Sequence, residues 1–272
     1  MKVPLILRSI LSGFAVSTIG VWTWVLLVTY IPPIWAVVSM IPLLVLYWFY
    51  FSGNWSPSST KEYRQSQFRR TQLSSSVWIW GVAAAILIVI FLNAAGVLTL
   101  RLIEFPDSPL TAAFLHDFPA WISWPLIFMA SCVAGICEEV GFRGYMQKPL
   151  EEKYGPIIGI SITSFIFVIV HLHQAWASGM LIHIFVISFM LGYLAYSSKS
   201  LIPGIIAHIS FDVINFSYWW SEYIGTLNYE TIYTSGMDTQ FIISAAALLL
   251  TTILFITAIK KLLNLRPEPL SV

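Results

Sequence analysis

The sequence predicts an all-α, polytopic membrane protein: one transmembrane domain over residues 1–272, built as a bundle of about eight spanning helices. Three observations predict this. First, 58% of the residues are hydrophobic and 10% are charged, with a mean hydropathy of +0.80. A water-soluble domain carries roughly 25% charged residues, so bulk water is not the main solvent of this chain. Second, the apolar residues fall in runs close to the ~20 residues that a spanning helix needs. No barrel-like alternation interrupts them, and in lipid that leaves the helix as the way to satisfy the backbone. Third, the basic residues partition. With eight spans and both termini inside, 13 of the 14 Lys and Arg residues lie in inside segments, and Arg101 alone falls outside. Such an excess of basic charge marks the cytoplasmic face.

The expected spans are Ser9–Tyr30, Ile34–Phe51, Val77–Leu100, Pro119–Ile136, Ile157–Leu172, Ser178–Tyr196, Leu201–Trp219 and Thr239–Ile259. The first apolar stretch runs past the length of a signal-peptide core and lacks a clear small-residue cleavage site, so it reads as a span. Pro32-Pro33 breaks the first pair into a tight hairpin. Ser52 to Ser76 is polar, Ser-rich and basic, which predicts a surface loop. Outer loops are acidic, with Glu104, Asp107, Asp117, Glu222, Glu230 and Asp238, and Tyr218, Trp219 and Trp220 fit an outer aromatic belt. Cys132 and Cys137 sit in one apolar run, where they read as small buried hydrophobes rather than a disulfide or zinc framework. A formal charge of +1 gives no reason to expect a nucleic-acid partner.

Ionisable groups inside a bilayer are costly and usually functional. Here they cluster in the fourth to seventh helices, roughly residues 119–220. Glu139 and Arg143 are spaced i,i+4 and can pair on one helical face. Glu138 points about 100° away, which leaves it as the carboxylate free to act as a base. Adjacent residues are expected not to face the same site. In the fifth helix, Tyr154-Gly155-Pro156 is a stop followed by a helix-starting proline. An antiparallel hairpin folded there sets Glu138 and His171 at similar height, where they can share one water. In the seventh helix, His208, Asp212 and Asn215 line one face as i, i+4 and i+7. His173 and His183 fit no such spacing and read as packing residues.

Depth poses a conflict. His208 is about 10 Å into its helix from the inside, whereas His171 is near the outer end of its own. Either the fourth and fifth helices project beyond the inner surface, or the turn around Gln174–Ser178 lies inside the protein. The amphipathic run from Arg143 to Lys153 favours projection.

Glu-Glu-x-x-x-Arg at 138–143, Phe-x-x-x-His at 167–171 and His-x-x-x-Asp at 208–212, each on its own apolar helix, resemble the CAAX prenyl protease and bacteriocin-processing (CPBP) family, also called the Abi family. The resemblance covers roughly Trp121 to Asn215. It implies an intramembrane endopeptidase of the glutamic type. On that resemblance Glu138 and His171 activate the water, His208 and Asp212 face the substrate carbonyl, and Glu139 and Arg143 shape the site. Phe167 and Asn215 are further supporting residues. The family often has Asn where this chain has Asp212. An ionised carboxylate would repel an oxyanion, so Asp212 is expected either to be protonated or to orient His208, with the second role favoured. The implied partners are the bilayer and a membrane-associated or lipidated peptide, and the short loops lean toward a prokaryotic plasma membrane. No cofactor is expected, although Glu, His and Asp on three helices leave a divalent ion such as zinc open. The other readings are a proton-coupled transporter, since such proteins also carry intramembrane Glu, His and Asp, and a non-catalytic immunity or scaffold protein that keeps the fold.

Overall fold

The computed structural model describes residues 4–69, 73–103, 117–172, 178–220 and 230–265, with the side chains of all but 178–180 and 219–220 among them. The described residues are mostly helical and contain no strand. In chain order the main elements are α1 (Leu5–Tyr30), α2 (Pro33–Phe51), α3 (Lys61–Gln67), α4 (Ser75–Leu102), α5 (Ala120–Glu138), a π-helical segment (Glu139–Met146) and α6 (Gln147–Tyr154). They are followed by α7 (Pro156–Val170), α8 (Ser178–Ser198), α9 (Ile202–Trp220), α10 (Ile232–Ser235) and α11 (Thr239–Asn264).

Each of the eight expected spans coincides with a helix, but six of the helices are long and apolar enough to cross a membrane. The two outside that set are α7, at 15 residues, and α9. α9 reaches 19 residues, but His208, Asp212 and Asn215 lower its apolar content. The peripheral helices α1 and α11 bury 22% of their most apolar stretch and α8 buries 61%, so α8 is central and the other two face lipid. Leu11, Trp22, Leu249 and Ile253 are more than half exposed. So much apolar surface is tolerated on a membrane-facing flank and not in water.

Helix α1 approaches the core through small residues. Its buried face is Ser9, Gly13, Val16, Ser17 and Gly20, a small-xxx-small pattern that lets helix backbones come close. A Cβ on Gly13 would lie 2.8 Å from the Gly141 carbonyl oxygen, and one on Gly141 would lie 2.6 Å from the Gly13 carbonyl oxygen. α1 therefore seats directly on the π-helical segment. A second apolar cluster, with Ala84, Ile88 and Leu92 of α4 packed against Leu191, Leu194 and Phe255, fixes α8 against α4 and α11.

Within the segment expected as a surface loop, the described residues 52–69 are partly helical and partly buried. Arg64, Gln67 and Arg69 are all less than 7% exposed. Arg64 donates to the carbonyl oxygens of Tyr50, Trp55 and Pro57, which turns the chain back on itself. Arg69 donates from Nε to the Arg143 carbonyl oxygen at 3.1 Å and pairs with Glu151 at 2.9 Å. Basic residues that look solvent-facing in the sequence are thus buried as caps, because backbone carbonyls and a carboxylate accept from their guanidinium groups.

Residues 120–154 run as one 35-residue helical rod, about 50 Å long at 1.5 Å per residue, against a hydrocarbon core of about 30 Å. Leu201, in the α8–α9 turn, packs beside Gly144. Gly155 has a φ of +85°, a left-handed conformation open to glycine at a helix C-terminus. Glu139, directly after the end of α5, lies level with His208 of α9, as their direct contact shows; most of the turn around Gln174–Ser178 lies outside the described residues.

Candidate active site

Three helices bring the polar residues together. α5 ends at Glu138, and the π-helical winding begins at Glu139. A π-helical turn is rare and often found at functional sites. Here both adjacent carboxylates reach the same ring, from backbone that is still α-helical at Glu138 and Glu139. His208 Nδ1 lies 3.0 Å from Glu139 Oε1, while His208 Nε2 lies 3.9 Å from Glu138 Oε2 and 3.7 Å from Asp212 Oδ2. The expectation that Glu138 and Glu139 cannot face one site is corrected: they flank the imidazole on opposite nitrogens. The partner on Nδ1 is also Glu139 rather than Asp212.

Burial differs across the cluster. Glu139 and Arg143 are fully buried, His208 is 8% exposed at its side chain, and Glu138 and Asp212 are 14% and 15% exposed. Glu139 and Arg143 therefore form the floor, and Glu138 and Asp212 line the more open side. The floor is tight. A Cβ on Gly204 would lie 2.9 Å from Glu139 Oε2, so glycine is what lets α9 approach the carboxylate.

Arg143 makes the expected i,i+4 pair with Glu139 at 3.2 Å. Its guanidinium lies over the Phe167 ring at 4.8 Å and donates to the Ser188 carbonyl oxygen at 3.4 Å. Phe167 in turn packs edge-on against Phe142 and under the His171 ring, with centroid distances of 4.9 and 4.3 Å. His171 ends α7, and its Nδ1 donates to the Phe167 carbonyl oxygen at 2.7 Å. In the neutral ring that makes Nε2 the acceptor. The stack Arg143–Phe167–His171 is how the fifth predicted span joins the site.

Asn215 is half-buried on the His208–Asp212 face. His183, buried on α8, faces Phe211 at 6.2 Å and belongs to the wall between α8 and α9. His173 and the side chains of Trp219 and Trp220 lie outside the described residues. Among the described residues no group of three or more His, Cys, Asp and Glu side chains is arranged to hold a metal ion. Sequence reasoning missed Gly204, Arg69 and Ser188. Arg69 and Ser188 act through backbone atoms distant in sequence, and nothing in their spacing signals it. The seating of α1 was also missed, although its small-xxx-small pattern is a local signal that could have found it.

Residues 119–214 match the family model described as type II CAAX prenyl endopeptidase Rce1-like. The matched helices are thus similar to those of that family. The matched segment opens at Pro119, just before α5, and closes within α9, and so contains Glu138, Glu139, Arg143, Phe167, His171, His208 and Asp212. No curated protein and no solved structure matches the chain. With six long apolar helices among the described residues, the chain is an integral, multi-pass membrane protein.

Proposed function

We propose that the chain is a glutamic-type intramembrane endopeptidase that hydrolyses a peptide bond in a membrane-associated or lipidated substrate without a metal. The observation that carries this reading is the placement of the His208 ring. Its Nδ1 is engaged by the buried Glu139, and its Nε2 is turned to the more open side beside Glu138 and Asp212.

Glu138 takes a proton from water, and His171 holds that water by a hydrogen bond. The hydroxide attacks the carbonyl carbon. The developing oxyanion accepts a hydrogen bond from Nε2–H of the imidazolium form of His208, whose Nδ1–H is anchored on Glu139. Glu138 then returns the proton to the leaving amine as the C–N bond breaks. Because Glu139 holds the ring, Asp212 is not needed to orient it. Arg143 keeps Glu139 in place, and Phe167 positions both Arg143 and His171.

The test is Glu138→Gln in detergent or liposomes, with a lipidated peptide as substrate. Cleavage should fall by about 10²–10⁴-fold, the contribution of a general base, with the thermal midpoint unchanged. Glu139→Gln should retain some activity but lose stability, because Arg143 is left unpaired. Full activity in Glu138→Gln with loss only in Glu139→Gln would reverse the two roles, and full activity in both would end the protease reading. Activity that a chelator removes and zinc restores would overturn the metal-free mechanism.

A further inference from the structure

Behind the floor of the site, three helices face one another with polar atoms that have no hydrogen-bond partner among the described residues. They are Nε and Nη1 of Arg143, Oγ of Ser188, Oγ1 of Thr163, Oγ of Ser164 and Oε1 of Gln147. Each of these residues is 1% exposed or less. Nη1 of Arg143 is 3.2 Å from Glu139 but lacks hydrogen-bond geometry.

Their placement is contiguous. On α7, Ile160, Thr163, Ser164 and Phe167 share one face as i, i+3, i+4 and i+7, and all four are buried. Phe167 marks the upper end of that face, over Arg143. Ile160 marks the lower end, beside Gly192 and Gln147. On α8, the Ser188 carbonyl accepts from Arg143, and the Gly192 carbonyl, one turn on, accepts from Gln147 at 2.8 Å. Gln147 also donates to Glu151 at 2.5 Å, and Glu151 pairs with Arg69. Arg69 and Glu151 line a surface cleft of about 460 Å³ with Lys148, Tyr196 and Lys199. The unpaired atoms thus form a seam from the Glu139–Arg143 floor to that cleft.

Buried polar groups in native proteins are almost always hydrogen-bonded, either to protein or to ordered water. Apolar cavities stay dry, whereas a site with several polar partners holds water. We infer that this seam is a water-binding path that supplies the site from the cleft, separately from the side where Glu138 and Asp212 meet the substrate. An enzyme embedded in lipid whose open side is filled by substrate needs its second reactant to arrive by another way. The supply role rests on the protease reading, but the hydration of the seam does not.

Two measurements test it. In radiolytic hydroxyl-radical footprinting of the intact wild-type protein, radicals form at bound water. Ile160 and Phe167 should oxidise several-fold faster than Ile88 and Phe255, which are similarly buried in the apolar cluster of α4, α8 and α11. Equal rates would show a dry seam and overturn the inference whatever the enzyme cleaves. In Thr163→Val and Ser188→Ala, kcat on a cleaved lipidated peptide should fall about tenfold, with KM and the thermal midpoint unchanged. A raised midpoint with unchanged kcat is what removing an orphaned, unhydrated hydroxyl would give, and it would also overturn the inference. If wild type cleaves nothing yet Ile160 and Phe167 are oxidised preferentially, the protease reading fails and the hydrated seam stands.

Discussion

Arg101 and Arg143 are both fully buried, and they are used in opposite ways. Arg101 ends α4 and closes onto the turn before α11. Its Nη1 pairs with Asp238 at 2.5 Å, and its Nη2 donates to Ser235 Oγ at 3.1 Å and the Gly236 carbonyl at 2.8 Å. Asp238 is 36% exposed and also caps α11 by accepting from the Phe241 amide. Arg143 sits in mid-bundle, with one fully buried carboxylate, one long carbonyl contact and an aromatic face. Among the described residues neither Nε has a hydrogen-bond partner, and Nη1 of Arg143 has none either. A clamp at a helix end can recruit turn carbonyls. A guanidinium under a reactive site must leave its carboxylate free to engage His208, and it is under-satisfied as a result.

The largest effect that would sharpen this contrast is at Arg143. Arg143→Ala should cost about 3–5 kcal/mol, the usual penalty for leaving one partner of a buried pair uncompensated, and should abolish cleavage. Thermal unfolding and a peptide assay read the two losses, and a stable, active variant would deny the floor its role. Next comes the clamp. Asp238→Ala should lower stability by about 1–2 kcal/mol, combining a lost helix cap with an ion pair discounted for the carboxylate's exposure. Asp238→Asn, which keeps the cap, should lose less, and neither should change kcat. A kcat loss in Asp238→Asn would mean that the two arginines are coupled.

Gly204→Ala should act at the site rather than on the fold. Its Cβ would press on Glu139 Oε2, displace the carboxylate from His208 and lower kcat about tenfold, which is roughly 1.4 kcal/mol of barrier. An unchanged kcat would show that Glu139 does not hold the ring. The smallest effect is expected at Asp212→Asn. With Nδ1 of His208 engaged by Glu139, the variant should stay within about threefold of wild type, under ~1 kcal/mol. A large loss would return the orienting role to Asp212.

Much of the site is legible because helical periodicity is local. The spacing of Glu139 and Arg143 gives their pairing, and that of His208 and Asp212 gives their shared face. The expectation that Glu138 and Glu139 face apart fails although both keep regular α-helical backbone angles, because a glutamate side chain is long enough to reach a ring set between the two directions. The rod winds as a π-helix from Glu139 to Met146, where α1 crosses it at Gly13 and Arg69 takes the Arg143 carbonyl. Neither contact is visible from within residues 138–143.

Composition and hydropathy by themselves determine that this chain is a helical membrane protein, because lipid leaves a lone apolar segment few other ways to satisfy its backbone. The order of its charged residues likewise determines which helices hold the buried polar cluster, because a bilayer penalises every unneeded charge. Which nitrogen of His208 meets which carboxylate, and why Arg64 and Arg69 are buried in a segment that reads as loop, are decided by tertiary structure alone. Those outcomes depend on which backbone carbonyls and side chains from distant helices arrive within hydrogen-bond reach, and a single helix's sequence pattern does not encode its neighbours.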